Sequence, residues 1–301
     1  LYGLSSLLMI TFVLKAGAVP LHFWVPETYP AAPAPVSAIL AGVVKKVGVY
    51  GILRVFGTVL VPLGDFYSPV VLVIAVASAL YGGWAALSRD DILEMLSYSS
   101  IAQVGFIFLG ASVGLNSSLP ETVRVLAFTA VLIYSLNHAV IKSMLFLVAG
   151  HISRLAITTR FDQLGGLSKR APIMSYSFFL GSIALIGVPP LNGFFGKLLV
   201  FDAGVDAHSS IVVGVALASA ILTILYLSRT WSLAFWSQEG DASYEVTEPQ
   251  IGILIPIVVL TLLCIGIGVF FDPVFEYAKG AAQATVDTQA YIDAVLVGGI
   301  L

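Results

Sequence analysis

The sequence predicts an all-α, multi-pass membrane protein, and three observations carry that expectation. Charged side chains make up only 10% of the 301 residues, against about 25% in a soluble domain. Mean hydropathy is +1.00. Apolar runs of about 20 residues, enough to cross ~30 Å of hydrocarbon, recur along the chain. A soluble core cannot hide so much apolar surface, so lipid is the expected solvent for most side chains.

Eight segments qualify as crossings, near residues 1–19, 36–60, 69–88, 92–113, 122–150, 172–201, 209–235 and 251–271. Segment one runs into Gly17 and a proline series, Pro20, Pro26, Pro30, Pro33 and Pro35, so it is expected to be broken. Segment four opens with Asp90, Asp91 and Glu94 and carries Ser97, Ser99, Ser100 and Gln103, which predicts a helix packed among other helices rather than against lipid. Segment six would be ~45 Å long as one helix. It contains Gly187-Val188-Pro189-Pro190-Leu191-Asn192-Gly193 and is also expected to be broken. The stretches at 17–24 and 187–194 resemble each other and are separated by an odd number of segments, the pattern of an inverted repeat.

Eight crossings return both ends to one side, and the basic residues then sort the faces. Arg89, Arg154, Arg160, Lys169, Arg170 and Arg229 fall on the face carrying the 20–35, 88–91, 151–171 and 236–250 connections. Arg54, Arg124 and Lys279 fall on the other. The positive-inside tendency makes the first face cytoplasmic in a cell membrane. The formal charge of -3 carries little information in a membrane protein, but the lack of a basic stripe argues against a nucleic-acid partner. The single cysteine, Cys264, sits in an apolar run, so neither a disulfide framework nor a cysteine-rich metal or iron–sulfur site is expected. The sequence begins at Leu1 inside an apolar run, without the basic flank of a cleavable signal peptide, and is expected to lack an N-terminal part.

The remaining basic residues, Lys15, Lys45, Lys46, Lys142 and Lys197, lie within membrane segments. Each lysine at a helix centre costs ~2.5–3.5 kcal/mol on insertion scales, so each asks for a functional reason. Lys46 lies ~16 Å beyond Pro35, near mid-bilayer. His138 and Lys142 are one turn apart on one helical face. Lys197 stands nearest a segment end, where snorkelling to the interface competes. Lys45 and Lys46 point ~100° apart, which favours Lys46 as the residue facing a shared cavity and leaves Lys45, with His22, as a secondary candidate. A desolvated lysine gains and releases its proton more easily, which makes it a relay station. No Asp or Glu occupies a hydrophobic middle, so the balancing carboxylate is expected from a partner chain or an upstream segment. A haem between His138 and His151 is excluded, because thirteen residues along one stretch cannot place them on opposite sides of a ring.

Several ordered stretches resemble one family. They are KAGAVPLHFWVPE at 15–27, PAPVSA at 33–38, KVGVY at 46–50, LSYSSIAQVG at 96–105, NHAVIK at 137–142 and GVPPLNGFFGK at 187–197. The family is that of the proton-translocating membrane subunits shared by respiratory complex I and Mrp-type sodium/proton antiporters, and the wording is closest to the Mrp D-type subunit. The resemblance implies inverted five-helix repeats with two broken helices and a polar axis along the membrane. It implies that Lys15 is the lysine of the first broken helix, paired in the family with a glutamate two helices earlier. Lys46 is similar to the next axis residue, His138 and Lys142 to the connecting pair, and Lys197 to the terminal residue of the second broken helix. Residues 1–60 would end the first repeat, 61–235 would form the second, and 236–301 would hold a C-terminal transmembrane helix and tail.

The function expected is proton translocation through a buried Lys/His relay in a multisubunit cation/proton antiporter, with protons and Na+ as cargo, other membrane subunits as partners and no cofactor or metal. The alternative is the same relay in a complex I type NADH-quinone oxidoreductase or related hydrogenase complex. In either, this chain would carry no catalytic chemistry of its own.

Overall fold

A computed structural model describes residues 1–238 and 251–293, and the described residues are almost entirely helical. Expectations for Glu239, for most of the 236–250 connection and for the extreme C-terminus lie outside the described residues. In chain order the helices are α1 (Tyr2–Ala16), α2 (Trp24–Ala31), α3 (Ala34–Ile39), α4 (Lys45–Arg54), α5 (Gly64–Leu87), α6 (Ile92–Leu115) and α7 (Glu121–Ala156). They continue with α8 (Leu167–Arg170), α9 (Pro172–Ile186), α10 (Asn192–Asp206), α11 (Ser210–Thr230), α12 (Ile251–Val269), α13 (Phe271–Val286) and α14 (Thr288–Ile292). Wider π turns at Leu40–Val44 and Val55–Val59 join α3 and α4 into one span, Ala34–Val59.

Among the described residues, five helices are long and apolar enough to cross a membrane alone: Ala34–Val59, Val61–Leu87, Ile92–Leu115, Glu121–Ala156 and Ser210–Trp236. This is fewer than the eight segments read from the sequence, and the difference has a physical origin. Segments one and six are interrupted, and each piece is too short to span. Tyr2–Ala16 ends at Gly17 (φ +66°) before α2, and α9 ends at Gly187 (φ +97°) before α10. Glycine takes that left-handed conformation without steric penalty, and its N–H closes the last turn. Segment eight does not stop near 271. It turns by 81° between α12 and α13, because Pro273 has no N–H to continue the ladder and its ring would clash with the Val269 carbonyl.

α6 is the axis of the bundle. Asp91 caps its start, accepting from Leu93 N (2.8 Å) and Glu94 N (3.1 Å). Nearly every residue from Met95 to Leu115 is then buried. α5 lies against it closely enough that a Cβ on Gly105 would stand 2.3 Å from Ala79 N, and one on Gly82 2.5 Å from Ala102 N. Small residues of this kind let helix backbones meet where lipid offers no hydrophobic drive between them.

The connections sort onto two faces. Phe161 N donates to Asp90 O (2.9 Å), Arg229 Nη2 pairs with Asp90 Oδ1 (2.6 Å) and Gly166 N donates to Ser237 O (3.1 Å), so the 88–91, 157–171 and 229–237 stretches share one end. Arg160 grips Asp162 there through Nε (3.0 Å) and Nη2 (2.9 Å). That hydrogen-bonded guanidinium holds the exposed Asp162 carboxyl below the usual carboxylate range, and the carboxylate in turn raises Arg160. At the other end Asp65 accepts from Ser117 N (2.6 Å), and Thr58 Oγ1 donates to Thr285 O (3.1 Å). The first broken helix runs from this end, where Tyr2 meets Phe66 (5.4 Å), toward the arginine-rich end. The second starts at the arginine-rich end and runs away from it, returning through α11 to Arg229.

Candidate functional site

Four cationic or imidazole side chains from α4 and α7 converge on the buried face of α6. Lys45 is fully buried, and its Nζ donates to Ser100 O (3.1 Å) and lies 5.8 Å from the centre of the Tyr29 ring. Lys46, partly buried, reaches the other way: its Nζ bonds His138 Nδ1 (2.6 Å) and Ala41 O (2.7 Å). One turn along α7, the buried Lys142 donates to Leu96 O (3.0 Å) and to Ser99 Oγ. The adjacent serines Ser99 and Ser100 therefore stand between the Lys45 and Lys142 ammoniums, while His138 stands between Lys46 and its own helical neighbour Lys142.

This arrangement corrects the expectation for the adjacent pair. The two side chains do diverge, but both directions lead inside, because the span lies across the seam where α6 meets α7. Lys45, not Lys46, is the more deeply buried. The π turn at Leu40–Val44 just before them shifts helical phase, which simple 3.6-residue counting ignores.

The second broken helix holds Lys197, 9% exposed, whose Nζ donates to Ile186 O (3.2 Å) and sits 5.4 Å from the centre of the Phe106 ring. Ile186 O is free for this contact because the residue four positions on is Pro190, which has no N–H. Snorkelling is thus not its role here. Asn137 Nδ2 reaches the same break, donating to Asn192 O (2.6 Å), while Asn192 is fully buried with both side-chain polar atoms unbonded by protein.

Lys15 departs from the expectation of a buried cation. It occupies the last turn of α1 and is exposed, lining a lateral groove of ≈ 710 Å³ with Thr11, Phe12, Trp24, Val44 and Val47. Trp24 of α2 and the Leu40–Val47 stretch form the far wall of that groove. His22 is partly buried in the first break, packs edge-on to Tyr81 (4.9 Å) and lies near enough to Lys45 for their charges to interact, without a hydrogen bond to any lysine among the described residues.

A second polar network was not foreseen. Gln103 Nε2 donates to Thr223 Oγ1 (3.1 Å) and Tyr226 Oη (3.1 Å), and Tyr134 Oη donates to Gln103 Oε1. All four side chains are buried, linking α6, α7 and α11 beside the lysine cluster. Tyr134 lies between His138 (ring centres 6.5 Å apart) and Gly196, one residue before Lys197. Tyrosine and threonine inside apolar helices give no periodic or charge signal, so only the unusual polarity of α6 pointed toward this network. Among the described residues no group of three His, Cys, Asp or Glu is placed to hold a metal.

Residues 1–223 match the family described as NADH:quinone oxidoreductase/Mrp antiporter, transmembrane. The chain is 32% identical over 293 residues to the D-type subunit of the Na(+)/H(+) antiporter of Alkalihalophilus pseudofirmus, covering 97% of this chain and 58% of that protein. It is 32% identical over 278 residues to the N-type subunit of the NADH-quinone oxidoreductase of Desulforudis audaxviator, covering 87% and 54%. Among solved structures, a chain of the Mrp complex from a Dietzia species superposes with a TM-score of 0.85 at 25% identity, covering 96% of this chain and 60% of that one. The chain thus spans somewhat over half the length of the relatives it matches. With buried lysines on an all-helical bundle and a match across most of its length, the chain belongs to the NADH:quinone oxidoreductase/Mrp antiporter transmembrane family.

Proposed function

We propose that this chain is part of a proton-translocating membrane subunit of a multisubunit cation/proton antiporter, moving protons along Lys45, Lys46, His138, Lys142 and Lys197. The observation that carries the reading is the contact of Lys46 with His138, joined to the buried Lys142 one turn away. Such groups are expensive in a membrane interior and mark proton pathways. Each ammonium donates to a carbonyl, hydroxyl or imidazole, and among the described residues none donates to a carboxylate. The buried polar atoms of His138, Asn137 and Asn192 that lack protein partners are the kind of group that orders water between stations.

Lys15, at the uncovered groove, is the proposed entry station, facing a carboxylate supplied by another segment or subunit. Na+ is the proposed counter-cation, and other membrane subunits the proposed partners. Counting each broken pair as one crossing gives eight passes, with the arginine-rich end cytoplasmic. In the same reading residues 1–60 close one repeat, 61–235 form its inverted mate, and 236–301 carry the C-terminal helix and tail.

The same relay also suits a redox-driven complex, a reading favoured by the similarity to an NADH-quinone oxidoreductase subunit. In the assembled complex, Lys142→Ala and Lys46→Ala each abolish proton-coupled cation transport while assembly is retained. Normal transport in both variants overturns the relay. Transport driven by an imposed ion gradient, without an electron donor, separates the antiporter from the redox-driven reading.

A further inference from the structure

A lateral groove of ≈ 530 Å³ lies between α3, α7 and α12, away from the lysine cluster. Its walls are apolar, with Ala38, Val43, Leu147 and Pro256 among them. Its two titratable lining groups, His151 and Arg154, sit together at one end, in the last turns of α7. From Arg154 to Ser143, the deepest lining residue of α7, the helix rises ~16 Å, about half of the ~30 Å hydrocarbon thickness. The groove is one leaflet deep, with its polar end at the arginine-rich face.

Arg154 is exposed and makes no ion pair among the described residues. His151 Nδ1 is buried with no hydrogen-bond partner in the protein. The groove floor is tight: a Cβ on Gly150 would lie 2.0 Å from the Ala34 methyl, so α3 and α7 meet there with no room for a side chain. A helix laid in the groove would desolvate a guanidinium that no described carboxylate compensates. A phosphate diester brings the counter-charge and the acceptor oxygens, and its acyl chain matches the depth and the apolar walls.

We infer that this groove is a binding site for one anionic phospholipid, with its phosphate between Arg154 and His151 and an acyl chain along Ala38, Val43 and Leu147. One wall is the π turn Leu40–Val44, which directly precedes Lys45 and Lys46. An occupied site therefore braces the element that positions both lysines. The site rests on groove shape and charge and is independent of the transport reading.

The test uses the purified assembled complex, with native mass spectrometry and thermal midpoints in phosphatidylglycerol or in phosphatidylcholine of the same acyl composition. Phosphatidylglycerol is retained and raises the midpoint more than phosphatidylcholine does. Arg154→Gln weakens phosphatidylglycerol about fivefold, the counterpart of ~1 kcal/mol per basic side chain at a headgroup. Arg154→Lys restores most of the preference. Gly252→Leu, at a position where an added Cβ meets nothing within 4 Å, fills the groove and weakens both lipids. Unchanged phosphatidylglycerol binding in Arg154→Gln and Gly252→Leu overturns the site. So does a midpoint shift of equal size from inorganic phosphate alone, or efficient cross-linking of Val43→Cys to another subunit.

Discussion

The two broken helices share a turn geometry and differ in what surrounds it. Each ends its first half on a glycine at positive φ, Gly17 and Gly187, and each contains a cis X–Pro bond. At the second break the helix supplies its own cation: a Cβ on Gly187 would stand 3.2 Å from Lys197 Cδ. At the first break Lys15 points outward, and the cation inside comes from the neighbouring span: a Cβ on Gly17 would stand 3.5 Å from Lys45 Nζ. The α12 backbone closes over the second break, with Gly268 placed so that a Cβ would lie 2.0 Å from Pro190 O. Nothing comparable among the described residues covers Lys15. At the second break a lysine takes a carbonyl at the break itself, Ile186 O, whereas at the first the neighbouring Lys45 bonds Ser100 O of α6.

Steric load separates the two breaks most sharply. Gly193→Val would place its Cβ 1.8 Å from the Ala184 carbonyl oxygen, a backbone clash worth about 3 kcal/mol or more, and the assembled complex should be lost or its thermal midpoint fall steeply. Gly17→Ala meets the Val25 side chain at 2.5 Å and carries positive φ, so ~1–2 kcal/mol is expected from the left-handed backbone, with a smaller drop in midpoint. Equal losses would mean that the two breaks are packed alike.

Charge deletion sharpens the contrast further. Lys45→Met removes a buried cation that no described carboxylate pairs and keeps its volume, and Ser100 O remains in the α6 ladder. Thermal stability should rise while transport falls, because a buried charge costs free energy unless it is paired. Lys197→Met should stabilise less, because Ile186 O loses the lysine and Pro190 offers no N–H in its place. Lys15→Met, at an exposed position, should leave the midpoint near its starting value. A midpoint drop in Lys45→Met would show that its contacts hold the fold together.

Much of this was legible in the residues. Apolar runs gave the membrane class, Gly-Pro clusters gave both breaks, and the polarity of 94–103 marked α6 as interior. The pairing of His138 with Lys142 on one face followed from a four-residue spacing. What escaped depended on neighbours. Burial of Lys45 requires knowing that α6 and α7 flank its span on two sides, and exposure of Lys15 requires knowing which stripe of α1 faces the lateral groove. The bend at Phe270 had a signal in Pro273, hidden because the apolar run continues through it. The Gln103–Tyr134–Thr223–Tyr226 network unites three helices whose sequence positions differ by up to 123 residues, and no local pattern encodes such a meeting.

The smallest expected effect lies at the arginine-rich end, and it tests whether the buried lysines alone set the response to pH. Arg160 holds Asp162 below the ordinary carboxylate range. Any stability from the pair is therefore present above the unfolded carboxyl pKa and is lost as pH falls through the lowered folded value. Asp162→Asn should cost little near neutral pH, because the pair is exposed and screened. The gap in midpoint from the parent should close in acid. Transport against pH should keep its shape in this variant, since Asp162 lies in the loop at the end of the bundle, outside the Lys45–Lys142 contacts. A displaced transport profile would instead place a proton-sensing step in that loop, and the contrast between the two breaks would no longer account for how the chain responds to pH.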